Sequence, residues 1–114
     1  MKIYGIKNCD TVKKAIKWLT DNGFQPQLHD YRVDGLDVQW LTEMADKFGW
    51  ENLVNKRSTT WRGLADEVKN NLDRELALKV LSEQPTLIKR PIVIHNDVAL
   101  LGFDASDYQA KLKS

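Results

Sequence analysis

The hydrophobic pattern changes period within the first twenty residues, and that change sets what the chain can fold into. Residues 1–6 form a short apolar run carrying Ile3, Tyr4 and Ile6, which reads as a buried strand. Asn8, Cys9, Asp10 and Thr11 follow as a turn and helix-start residues. From there Val12, Ala15, Ile16 and Leu19 fall at i, i+3, i+4 and i+7, the spacing of one helical face. The helix runs to about Thr20, and Asp21, Asn22 and Gly23 stop it. Residues 24–31 then supply a second strand, with Leu28 and Tyr31 among polar residues and Pro26 near its start. Strand, helix and strand with tight connections make a βαβ unit, whose crossover is right-handed and whose strands are parallel.

The single cysteine, Cys9, stands where that first strand hands over to the helix. A thiol placed there faces backbone N–H groups and the positive end of the helix dipole, which favour the thiolate. Lys2, Lys7, Lys13, Lys14 and Lys17 crowd the first twenty residues against one acid, Asp10, and nearby cations push the thiol the same way. A free cysteine also packs as a small hydrophobe, but the junction and the lysines favour a reactive Cys9. One cysteine excludes an internal disulfide and a cysteine-rich metal centre, so no metal is expected. It suits a reducing compartment, and with no signal-peptide apolar stretch after Met1 a cytoplasmic location is expected.

A chain of 114 residues is one domain with room for a real core. Its net charge of +1 carries no footprint of nucleic-acid binding, and it lacks the apolar run of about 18 residues that a membrane span requires. Residues 32–35 read as a turn. A helix over 37–48 follows, with Leu41, Met44, Ala45 and Phe48 as its apolar face and Gly49 as its end. Ser58, Thr59 and Thr60 look like a cap for one short helix over 61–68. This region carries Lys56, Arg57 and Arg62 and has no acid between Asn52 and Ala65. Asp73 caps a further helix to about Ser82, through Leu76, Ala77, Val80 and Leu81. Residues 83–91 read as a loop or extended segment. Ile92, Val93 and Ile94 form a strand, His95, Asn96 and Asp97 a hairpin turn, and residues 98–101 the returning antiparallel strand. A last helix over about 104–112 starts on Asp104 or Ser106. The order predicts an α/β fold: a four-stranded mixed sheet (βαβ…ββα) with a core of residues 1–34 and 84–114 and a helical insertion of residues 35–83.

That order resembles the thioredoxin-like arrangement. Two features bring the resemblance closer: Cys9 opens the first helix, and Pro91 directly precedes the third strand. The run from Tyr4 through Lys7, Cys9 and Val12 to Ala15, and the run from Pro85 through Arg90 and Pro91 to Ile94, are similar to the arsenate reductase (ArsC) family with its Spx and YffB branches. The first run is nearest to YffB, and the likeness covers essentially the whole chain. The resemblance implies Cys9 as nucleophile and a cis Pro91 packed beside it. It implies Arg90 pairing a glutathione carboxylate, with Lys7 and Arg57 as further binding candidates. Lys56 and Arg57 either complete an anion site or form a solvated charge cluster. Glutathione is then the co-substrate, no cofactor is tightly bound, and the substrate is a small oxyanion or an oxidised thiol, with a redox partner protein in reach.

The chain departs from the family in three places. Val12 stands where Spx chains carry a second cysteine. Leu101, Gly102 and Phe103 follow the hairpin where arsenate reductases place an arginine, and Asn55 takes the position of another. An oxyanion needs several fixed guanidinium donors, so efficient arsenate reduction is not expected. The expected activity is that of a glutathione-dependent thiol oxidoreductase, and the alternative is a Spx-like adaptor that binds a transcription or proteolysis component. His29 and His95 have no partner in sequence that suggests a metal or a Cys–His pair. Trp18, Trp40, Trp50 and Trp61 are read as packing residues.

Overall fold

Strand β1 (Lys2–Gly5), helix α1 (Asp10–Asp21) and strand β2 (Gln27–Asp30) form the expected βαβ unit in the computed structural model, which describes residues 1–113. The strands pair in parallel, Ile3 opposite Leu28 and Tyr4 opposite His29. Helix α1 buries Val12, Ala15 and Leu19 on one face. It ends where Gly23 takes φ +87°, a left-handed conformation that lets its N–H close back onto the Thr20 carbonyl. Strands β3 (Ile92–His95) and β4 (Val98–Leu101) form the hairpin, turned at Asn96 with φ +54°. The sheet order is β2-β1-β3-β4, with β1 antiparallel to β3, so the sheet is mixed.

Alternation along the strands sends Ile3, Val93 and Leu100 to one face. There they meet Val12, Ala15 and Leu19 of α1 and Tyr108 of the C-terminal helix, Ala105–Leu112, in one core cluster. The buried Tyr108 hydroxyl donates to the Gly102 carbonyl at 2.6 Å, which satisfies it inside the core. Of the two caps open from sequence, Asp104 is the one used: its carboxylate accepts the N–H groups of Ser106 and Asp107. The fold is the α/β, thioredoxin-like one.

By their contacts, residues 1–35 with residues 90–113 form one compact unit and residues 36–89 another. The second unit holds α2 (Val38–Phe48), α3 (Trp50–Leu53), α4 (Thr59–Arg62), α5 (Asp66–Asn70) and α6 (Arg74–Glu83), then a 3-10 turn at Pro85–Leu87. The helix Ala105–Leu112 of the first unit is therefore α7. Asp37 and Asp73 cap α2 and α6 through Gln39 and Leu76 N–H groups. Leu41, Met44, Ala45, Leu53, Ala77, Val80 and Leu81 are buried in this unit.

Three local features differ from the sequence reading. The stretch 61–68 is two short helices, because Gly63 ends α4 soon after the Ser58 hydroxyl caps it through the Trp61 N–H. Gly49, at φ +87°, ends α2 and starts α3 at once. Residues 84–89 stay with the helices rather than the sheet. Lys89 donates to the Leu53 carbonyl at 2.7 Å, Asn55 to the Leu87 carbonyl at 2.9 Å, and Val54 bridges Ile88. Among the described residues no helix is long and apolar enough to cross a membrane, and no three metal-ligating side chains cluster.

Candidate active site

Cys9 is the N-cap of α1, with extended backbone (φ −109°, ψ 123°). N-caps are normally Ser, Thr, Asp or Asn, whose oxygen accepts an N–H of the second or third helical residue. Here sulfur occupies that place. Its own backbone is fixed from both sides: Cys9 N–H donates to the Ile6 carbonyl at 3.2 Å, and its carbonyl accepts the Lys13 N–H at 3.0 Å.

The sulfur closes no capping bond of ordinary geometry, yet the first turn acts on it. Partial burial pushes the thiol up. The Val12 N–H, the hydrogen bond and charge of the Arg90 guanidinium, and the Thr11 N–H together outweigh it, and the Cys9 pKa lies below its ordinary value. Half-buried, the sulfur remains within reach of a reactant.

Arg90 is joined by a cis peptide bond to Pro91, which directly precedes β3, the geometry that the resemblance implied. The same Arg90 charge reaches Tyr31, whose phenol burial drives far up. Tyr31 follows β2, and its N–H donates to the Gly5 carbonyl at 3.0 Å. Its ring neighbours His29, and His29 neighbours Tyr4 with centroids 5.1 Å apart. His29 Nε2 is hydrogen-bonded to the Gly35 carbonyl, and the His95 ring meets Phe24 edge-on.

The lysines expected to acidify the thiol are not the groups that do so. Lys7 has an exposed side chain, where solvent and salt weaken its field. Its contribution is made by its main chain, whose N–H donates to Oδ2 of Asp30 at 2.9 Å. Arg57 lies in the second unit. There it lines a pocket of about 400 Å³ with Lys56, Lys89, Asn52 and Asn55, and its N–H donates to the Asn55 side chain at 3.1 Å. Lys56 stands 5.5 Å over the Trp61 ring.

Two residues of this region escaped the sequence. Asp30 is the one buried polar or charged residue among the described residues, and at the end of a mostly polar strand it reads as surface. Gly5 carried a readable signal, since glycine inside a strand marks a close approach. A Cβ there would stand 2.7 Å from Cγ2 of Val12.

A Haemophilus influenzae protein is 62% identical over 108 residues, covering 95% of each chain. The arsenate reductase of the same organism is 30% identical over 102 residues, covering 88% of each. The solved structure of a YFFB protein superposes with a TM-score of 0.92 at 37% identity, over 97% of each chain. The ArsC family pattern matches residues 4–111, and the chain belongs to the ArsC family, with its arsenate reductase-like thiol oxidoreductase fold.

Proposed function

We propose that the protein is a glutathione-dependent thiol reductase that works through Cys9 alone. The observation that carries this reading is the half-exposed sulfur at the α1 N-cap, held toward its thiolate by the Val12 and Thr11 N–H groups and by Arg90. A thiolate is the nucleophile in disulfide exchange. The Cys9 thiolate attacks the glutathione sulfur of a substrate–glutathione disulfide. That bond breaks, the substrate leaves as a thiolate, and a Cys9–glutathione disulfide forms. A second glutathione thiolate then attacks this disulfide, releases oxidised glutathione and regenerates Cys9. Val12 stands where an internal resolving cysteine would, so the resolving thiol comes from solution or from a redox partner protein. Arg90, beside Pro91, receives a glutathione carboxylate, and Lys7 is a further cation proposed for its anionic ends. Such chemistry suits a reducing, cytoplasmic setting.

Mass spectrometry after incubation with oxidised glutathione tests the proposal. The expected result is one glutathionyl group on Cys9, removed by reduced glutathione and absent in Cys9→Ser. Serine is an ordinary helix cap, so that variant keeps its fold. An unmodified wild-type Cys9 would sink the reductase reading and leave a Spx-like adaptor, for which the sulfur is dispensable.

A further inference from the structure

The last residue of β2, Asp30, is buried, and both of its carboxylate oxygens are spoken for. Oδ1 accepts the Arg32 N–H at 2.8 Å, and Oδ2 accepts the Lys7 N–H at 2.9 Å. The first bond is local. The second crosses 23 residues to the turn that delivers Cys9. That turn is otherwise held by the Cys9 N–H on the Ile6 carbonyl, a longer bond of 3.2 Å. Asp30 is itself clamped. Its N–H donates to Oδ2 of Asp34 at 3.0 Å, and its carbonyl accepts the N–H groups of Asp34 at 2.7 Å and Val33 at 3.1 Å. Its carboxylate therefore has a fixed position from which to fix something else.

A buried anion is costly unless it is hydrogen-bonded, and a buried strand end could be capped by a neutral residue at less cost. Two acceptor oxygens are what this place demands, since an Asn in the same pose would turn its NH2 toward one of the two N–H donors. We propose that Asp30 is a positioning residue for the thiol: through the Lys7 N–H it locks the turn between β1 and α1, and so keeps Sγ of Cys9 over the Thr11 and Val12 N–H groups and beside Arg90. Precise sites are held by a supporting shell that fixes the reacting group. The charged groups facing Asp30 are Arg32, whose charge favours the carboxylate, and Asp34 on its N–H, while the Lys7 side chain is exposed.

This role rests on Cys9 being the reacting group, and its test uses iodoacetamide, which needs no glutathione. The alkylation rate of Cys9 is followed against pH in the wild type and in Asp30→Asn, with circular dichroism to check that each is folded. The expected result is a higher thiol midpoint and a severalfold slower alkylation at pH 7 in Asp30→Asn. A folded Asp30→Asn with an unchanged profile overturns the proposal and leaves Asp30 as a strand-end stabiliser. Where that variant does not fold, the wild type decides by amide NMR in acid. The Lys7 and Cys9 amides shift together as Asp30 protonates, and a Cys9 amide that stays still while Lys7 moves overturns the proposal. A wild type that alkylates as expected but takes up no glutathione refutes the reductase reading and leaves the role of Asp30 standing.

Discussion

Gly5 and Val12 touch across the strand–helix junction so closely that no side chain fits between them: a Cβ on Gly5 would lie 2.7 Å from Cγ2 of Val12. Val12 is fully buried, and its N–H is among the groups that act on Sγ of Cys9. The packing of β1 against α1 and the environment of the thiol are therefore one contact.

Gly5→Ala should disturb both. A valine side chain has little freedom to rotate away, so α1 must shift, and overpacking of this kind costs about 1–3 kcal/mol. Urea unfolding should show that loss. The alkylation profile of Cys9 should move to higher pH as the Val12 N–H is displaced. A variant of wild-type stability with an unchanged profile would show that the junction yields without cost.

Arg90 acts on the sulfur by a hydrogen bond and by its charge, and substitutions separate the two. Arg90→Ala removes both and should raise the thiol midpoint. Arg90→Lys keeps the charge without the planar fork of donors and should raise it less. Iodoacetamide rates across pH measure this. Equal midpoints in wild type and Arg90→Ala would show that the helix N–H groups alone favour the thiolate.

Acid should destabilise the protein partly through Asp30. The Lys7 N–H, first, outweighs burial, and the Arg32 and Val33 N–H groups and the Arg32 charge add to it, so the carboxyl lies below its ordinary value. An unfolded aspartate titrates at about 3.9. The stability that Asp30 contributes is thus fully present above that pH and is lost as pH falls through the lower folded value. Urea midpoints between pH 6 and 3 should decline less steeply in Asp30→Asn than in wild type. Parallel declines would show that this carboxylate gains nothing on folding.

Turnover of arsenate with glutathione should be weak. The segment after the hairpin offers Leu101, Gly102 and Phe103. Gly102 is committed to structure at φ +80°, its N–H on the Pro91 carbonyl and its own carbonyl taken by Tyr108. Losing one charge-assisted bond from an anion site costs about 1.5–3 kcal/mol, or more than tenfold in affinity. A coupled assay on purified protein measures this, and robust turnover would refute the expectation.

The elements that could be read from the chain are those whose signals are local. The period of Val12, Ala15 and Leu19, the cap Asp73 and the β-branched run Ile92–Ile94 each specify their element by neighbouring residues. Residues 49–70 resisted because helices of four or five residues contain too little periodicity to declare themselves, and Gly49 and Gly63 end one segment while opening the next. At the site, the position of Cys9 was visible because a junction is a local event. The bond from Asp30 to Lys7 was not, since nothing in a lone acid ending a polar strand announces a main-chain partner 23 residues away. The lysines misled for the converse reason: closeness in sequence to a thiol says little once their side chains are in solvent.

The sulfur belongs to the N-cap of α1, just past β1, whereas the guanidinium that acts on it stands just ahead of β3, far along the chain. Contacts of such long separation form only after large loops have closed. In a chain still being synthesised, or one that has lost its C-terminal strands, Cys9 lacks Arg90, and its thiol has only the Val12 and Thr11 N–H groups to favour the anion. Reactivity is thereby coupled to maturation: the thiol gains the Arg90 share of its acidity only as the last strands dock.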